Sequence, residues 1–309
     1  MIRKPFYCAT VLVAIYFSNS TQAATCSCAS VPILGSMESS SPNKNAWFFS
    51  ASYETHEISD LVSGSREVND ETGRDRSAQS LVLETSRGIS DTLSVAALIS
   101  SVEQRRRVGN NPEESASGIG DAVFLFKYTP QKIRVYSNQG FSVGAGARVP
   151  LGEDEAKSQS GIVLAEDMQP STGAYGGILW AHYNYAFNRA ATRQLYATAS
   201  YTSNGDNKRD YRFGDELVFA AGTQFHFKEK WGLTSGLKFR ETERDRRAGS
   251  RIPNTGGQWL DFESTLQYHV NDSLATRLSF RLPVQRDLND ELQFTSSYSF
   301  GFGVSFVYE

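Results

Sequence analysis

From Trp47 to the end of the chain, apolar and polar residues alternate in segments of about ten, each broken off by a polar link. Trp47, Phe49, Ala51 and Tyr53 alternate with Phe48, Ser50, Ser52 and Glu54, the period of a strand with one apolar face. The pattern returns at residues 81–83, 93–99, 122–128, 141–149, 175–185, 195–201, 217–227, 231–239, 260–270, 274–282 and 298–308. About twelve strands result, most of them near the roughly 9 to 11 residues that a tilted strand needs to cross hydrocarbon. An even count is what a single-chain bacterial barrel requires in order to close with both termini on the periplasmic side.

The links support the same reading. Long polar stretches at about 59–77, 106–117, 151–171, 203–212, 245–257 and 283–293 alternate with shorter turns near 90–91, 187–193, 228–230 and 271–272. Residues 129–139 form the one longer exception. Long outer loops and short periplasmic turns are the habit of outer-membrane barrels. All prolines after Pro5 fall before Trp47, in links or at strand ends, where no ladder hydrogen bond is lost.

A soluble β-sandwich also alternates, and charge placement separates the two. No charged residue interrupts the middle of any apolar face, where a cation against lipid costs about 2–4 kcal/mol. The opposite face carries Glu54, Glu84, Asp121, Lys127, Arg148, Glu216, Lys238, Arg240, Asp261, Glu263, Arg277 and Arg281. In a barrel these line a lumen. Aromatic residues gather at the strand ends expected to be periplasmic, among them Trp47, Tyr128, Phe141, Tyr185, Phe227, Trp231, Tyr268 and Tyr308, as in an interfacial girdle. The expected fold is therefore all-β: an antiparallel up-and-down transmembrane barrel occupying residues 46–309.

The mean hydropathy of −0.40 and the absence of any apolar run of about 18 residues exclude a helical membrane bundle. Arg3 and Lys4 precede an apolar core at 6–17 and a polar run ending at Ala23, which reads as a secretory signal over residues 1–23 with cleavage after Ala23; a short uncleaved anchor is the rival. The 31 basic and 34 acidic residues become 29 and 34 without Arg3 and Lys4, a balance that speaks against nucleic acid as a partner. Residues 24–45 read as a Ser- and Pro-rich periplasmic arm. It carries Cys26 and Cys28, either a local disulfide or idle thiols, or a soft-metal site. Two thiolates complete no coordination shell, so no metal is named and no cofactor is expected.

Three short motifs carry a family resemblance. Gly118-Ile119-Gly120-Asp121 opening a strand, Val149-Pro150-Leu151-Gly152 closing the next, and Met168-Gln169-Pro170-Ser171-Thr172-Gly173 opening the one after resemble the outer-membrane transporter family named for the meta-cleavage pathway of phenol degradation. The resemblance implies a barrel transporter or channel for small compounds, hydrophobic or aromatic ones among them, and no catalytic residue. The same glycines have a purely structural reading, as bends or close strand contacts at a barrel rim.

Three functions follow, in this order: a passive or facilitated channel, a non-conducting scaffold for partners, and a phospholipase-like enzyme. For the last, Tyr201-Thr202-Ser203-Asn204-Gly205 resembles a nucleophile segment, but Tyr201 stands where a His base is needed. The channel reading predicts a charged lumen constriction in which Arg277 and Arg281 oppose Asp261 and Glu263, with Lys238 and Arg240 on the next strand. The expected partners are a small-molecule solute, outer-membrane lipid and the barrel-assembly machinery, the last suggested by Phe306-Val307-Tyr308-Glu309. The expected location is the outer membrane of a Gram-negative bacterium, with a periplasmic N-terminus.

Overall fold

The computed structural model describes residues 43–130, 138–188 and 190–309. Twelve strands form one closed antiparallel barrel: β1 (Trp47–Glu57), β2 (Arg74–Gly88), β3 (Leu93–Val108), β4 (Glu114–Tyr128), β5 (Gln139–Pro150), β6 (Gly176–Ala186), β7 (Arg193–Asn204), β8 (Glu216–Phe227), β9 (Trp231–Thr242), β10 (Gly257–His269), β11 (Leu274–Leu288) and β12 (Tyr298–Tyr308). Each pairs with its neighbours in sequence. The last closes on the first from Trp47 opposite Tyr308 to Glu57 opposite Tyr298, so no edge is left unpaired. Among the described residues no helix is long and apolar enough to cross a membrane.

The end of the barrel that holds Trp47 and Tyr308 is called the near end here, and the opposite one the far end. Outward side chains along the strands are large and apolar, with Phe124 47% and Phe300 46% exposed. At the near end they become the expected aromatic belt: Trp47 stacks on Phe49 at 5.7 Å, Trp231 meets Tyr268 at 4.7 Å, and the Arg87 guanidinium sits 5.0 Å from the Trp47 ring.

The strands are longer than hydropathy predicts on one side. The links expected at 59–77 and 106–117 are shortened because β2 begins at Arg74, β3 runs to Val108 and β4 begins at Glu114. Beyond the apolar band the ladder continues with charge pairs in place of apolar residues, Arg107–Asp75 at 2.9 Å and Arg106–Glu114 at 2.7 Å. Hydropathy ends where lipid would end; backbone pairing does not. Pro283, expected to open a link, instead lies inside β11 opposite Asp261, where the register with β10 shifts, an irregularity that tolerates a missing donor. Tyr175 falls just before β6, and the Gly118–Asp121 motif lies within β4 at its register shift against β3.

The expected signal and the Cys26–Cys28 pair lie outside the described residues. Just before β1, the Asn45 N–H donates to the Gly88 carbonyl at 2.8 Å and Gly88 returns a bond to Ala46 at 3.1 Å. The segment entering the barrel is thereby fastened to the near end of β2.

Inside, the barrel is asymmetric. Inward residues of β2 to β6, namely Val82, Ala96, Leu98, Val123, Leu125, Ile178 and Trp180, form an apolar cluster, with the buried Lys127 ammonium 5.0 Å over the Trp180 ring and Glu84 buried on the same face of β2 as Val82. The far mouth is covered on one side by a small sheet of residues 60–63, 66–68 and 293–295, whose Leu61, Val62 and Phe294 pack with Ile58, Ala78, Trp259 and Leu288. What remains open is a polar space against β7 to β12.

This register is testable. Phe124→Arg or Phe300→Arg places a cation against lipid, costing about 2–4 kcal/mol, whereas Ser279→Arg places it in the bore. The folded fraction of refolded protein, read by heat-modifiable gel migration, is expected to fall for both Phe variants and much less for Ser279→Arg.

Candidate functional site: the barrel lumen

The inward faces of β9, β10 and β11 carry the charges that the sequence singles out. Antiparallel register sets Lys238 opposite Asp261 and Glu263 opposite Arg281. The Arg281 Nε donates to Glu263 Oε1 at 2.6 Å, and the Lys238 Nζ lies 3.4 Å from the same oxygen. One carboxylate thus sits between two cations, and Lys238 is only 2% exposed. Such a buried group survives only if its partners stay in place. Arg240 pairs with Glu216 at 3.6 Å and lies 4.0 Å over the Trp259 ring. Asp261 joins Lys238, Arg240 and Arg281 around a small pocket of about 40 Å³ on the far side of this layer, under Thr295 and Ser296.

Of the six expected residues, Arg277 stands apart. It is opposite Gln267, nearer the near end, and donates to Ser50 Oγ at 3.2 Å. Between it and the ion-pair layer opens a cavity of about 290 Å³. Its wall is mostly hydroxyl and carboxamide groups, with Glu54, Lys238, Glu263 and Arg281 above. The cavity and the small pocket share Lys238 and Arg281, so the layer is the partition between them.

The three glycine-rich motifs meet in one knot at the far mouth, where Pro150 is opposite Asp121 and Gly152 lies against the Ile119 carbonyl. Asp121 accepts from Ser171 Oγ at 2.5 Å, from Thr172 Oγ1 at 2.6 Å and from the Thr172 N–H at 3.1 Å, and Arg148 lies 3.4 Å away. Gly118 faces the Pro170 ring, and Gly173, at φ +69°, leaves no room for a side chain beside Asp154. The 151–175 loop is thus pinned over the mouth, with its one helical turn (Glu166–Met168) turned inwards. There Asp167 binds Arg76 at 2.6 Å, and Glu166 holds Arg209 and, at 2.9 Å, Arg247. Burial pushes the Glu166 carboxyl up while the two guanidiniums pull it back, and the net shift is upward. Beneath the next loop Tyr211 donates to Asp245 at 2.6 Å, and burial raises both groups. No pattern in the chain signals these contacts, because their partners lie 34 to 91 positions apart.

Ser203 does not meet a histidine. Its hydroxyl donates to Asp215 Oδ2 at 3.1 Å, beside the Tyr201 hydroxyl at 3.0 Å on the same oxygen. Of the four histidines, His226 and His269 approach to 6.3 Å between ring centres across Gly232. Among the described residues no group of three or more His, Cys, Asp or Glu is placed to hold a metal ion.

A family model described as "Putative MetA-pathway of phenol degradation" matches residues 74–306. The chain belongs to that family. The matched region runs from β2 into β12 and includes the knot and the ion-pair layer. No curated protein matches the chain. Among solved structures, an outer membrane channel from Pseudomonas putida F1 superposes with a TM-score of 0.67 at 11% identity, over 87% of this chain and 97% of that one. The transport unit of the autotransporter AIDA-I from Escherichia coli gives 0.49 at 9%, over 88% and 93%. The CymD monoaromatic hydrocarbon channel gives 0.44 at 7%, over 87% and 90%. The first of these likenesses is one of fold: a barrel of the outer-membrane type.

Asp215 supplies a pH test at the far end. Burial raises its carboxyl, but hydrogen bonds from the Asn204 N–H, Tyr201, Arg212 and Ser203 outweigh this and hold it below the ordinary aspartate value. A depressed folded pKa stabilises above the unfolded value and is lost as pH falls through the folded one. Amide exchange at Asn204 is therefore expected to quicken below about pH 4 in the parent, and to be fast and insensitive to pH, once intrinsic exchange is allowed for, in Asp215→Asn.

Proposed function

We propose that the protein is a channel of the outer membrane of a Gram-negative bacterium, with no catalytic role, through which small solutes pass between the loops at the far end and a periplasmic near end. On this reading residues 1–23 direct export, residues 24–45 form a periplasmic arm, and the assembly machinery inserts the barrel. The observation that carries the reading is the polar cavity, narrowed on one side by apolar packing and ending at Lys238, Glu263 and Arg281. A barrel needed only as a scaffold gains nothing from buried ions, since apolar side chains fill a bore at least as stably. Here the ions stand where the open part of the bore narrows, the position of a selectivity element.

The family description mentions phenol degradation, and its resemblance suggested hydrophobic or aromatic solutes. The lining described above is better suited to solutes that can replace water's hydrogen bonds, because polar walls stripped of water without compensation are costly. A scaffold remains the second reading, favoured by the covered far mouth and the apolar packing on one side of the bore.

Planar-bilayer recording separates the two. The parent is expected to conduct in small steps, given the narrow bore. Arg281→Ala is expected to raise the conductance severalfold and to shift the reversal potential towards cations, because Glu263 keeps only Lys238 as a close partner. No conductance from either protein would support the scaffold; conductance unchanged by the substitution would place the path away from Arg281.

A further inference from the structure

The lumen cavity contains an aromatic shelf that the channel reading does not use. Tyr196 of β7 is opposite Gly222 of β8, which is in turn opposite Gly236 of β9. The Tyr196 hydroxyl lies 2.6 Å from where a Cβ on Gly236 would be. The side chain therefore reaches from β7 past β8 to the space that the missing side chain of Gly236 leaves on β9, and Tyr196 forms part of the cavity lining. Any larger residue at position 236 would lift it.

Around this shelf stand Asn184, Gln194, Thr198, Gln224, Thr265 and Gln267, groups that both donate and accept. Several are held in place from behind: Asn184 donates to Gln194 at 3.1 Å, and Thr198 bonds to the His182 ring at 2.9 Å. The charges that border the cavity, Lys238, Arg277 and Arg281 against Glu54 and Glu263, balance once Asp261 opposite Lys238 is included, so a ligand need not bring a counter-charge. A space of about 290 Å³ is at the small end of ligand-sized cavities and of the size that takes one saturated six-membered ring.

We propose that this cavity is a binding site for a neutral, polyhydroxylated ring of monosaccharide size. One C–H face of the ring would lie on Tyr196, and its hydroxyls would replace water on the amide and hydroxyl wall. The assignment rests on reading the lumen as a solute path, and it names the solute class for that path. An unsubstituted aromatic hydrocarbon would cover Tyr196 equally well but leave the surrounding polar groups without partners.

The test uses the full refolded chain in detergent for equilibrium binding, and in planar bilayers for current block, with myo-inositol and glucose against phenol and toluene. Saturable millimolar binding and reversible block by the polyhydroxylated rings are expected, with phenol and toluene weaker by about tenfold or more. Tyr196→Ala is expected to weaken inositol at least about tenfold while the barrel stays heat-modifiable. Thr265→Val, which keeps shape and removes one hydroxyl, is expected to weaken it severalfold and guards against a folding defect in the first variant. Binding of phenol as tight as that of inositol, or inositol binding indifferent to Tyr196→Ala, overturns the assignment. A parent that conducts without block by inositol also overturns it and leaves the channel reading standing. A parent that never conducts, yet binds inositol through Tyr196, upholds the site and removes the channel.

Discussion

Within hydrocarbon no water is present to satisfy a backbone N–H or C=O, so a strand survives there only if both of its edges are paired. The join between Trp47–Glu57 and Tyr298–Tyr308 meets that demand for the whole sheet, and the rest of the structure depends on it. Once the ladder is closed, each strand has an outer face against lipid and an inner face against whatever fills the bore. Period-two alternation is then compulsory outside. Inside it is optional, and the chain uses that freedom unevenly: an apolar cluster with Lys127 and Glu84 buried beside it on β2 to β6, and a wall richer in hydroxyls, amides and paired ions from the near half of β6 round to β12.

The two halves depend on each other. The apolar cluster around Val123, Leu125 and Trp180 narrows the bore and confines the polar cavity to one side. There the wall can bring Lys238 and Arg281 onto one Glu263 carboxylate. Removing one member would leave a buried charge with less compensation, whereas the assembled trio together with Asp261, opposite Lys238, is balanced two against two. The far mouth follows the same rule. Arg76, Asp121 and Glu166, all buried, each bond to residues of the loop that covers them or of loops beside it.

Much of the wall was legible in the sequence because lipid enforces alternation. Phe124, Phe300 and their kind could not be polar, and a register chosen from them also placed Glu263 and Arg281 inwards. What escaped were features that lipid does not police. Val82 and Leu98 lie inside, yet they sit in runs such as Leu81-Val82-Leu83 and Ala96-Ala97-Leu98-Ile99, which are apolar on both faces and so give no inner-face signal. Strand ends at Arg74, Val108 and Glu114 were hidden because charge pairs extend the ladder beyond the apolar band. The knot joining Asp121 to Ser171 and Thr172 depends on chain reversal through a 25-residue loop, and only the short motifs themselves were visible. The Tyr196 shelf escaped because it is defined by two absences, at Gly222 and Gly236, on neighbouring strands.

A lipid-facing wall around a wet, solute-accessible cavity is the core of this reading, and cysteine accessibility tests it directly. With Cys8, Cys26 and Cys28 replaced by Ser, single cysteines at Thr265 and Phe124 would be challenged by a small, membrane-impermeant thiol reagent on barrels folded into lipid vesicles. Rapid modification at position 265 and protection at position 124 are the expected results. Protection at 265 with modification at 124 would mean that the cavity is sealed from water, or that the wall is turned inside out, and would contradict the account at its root.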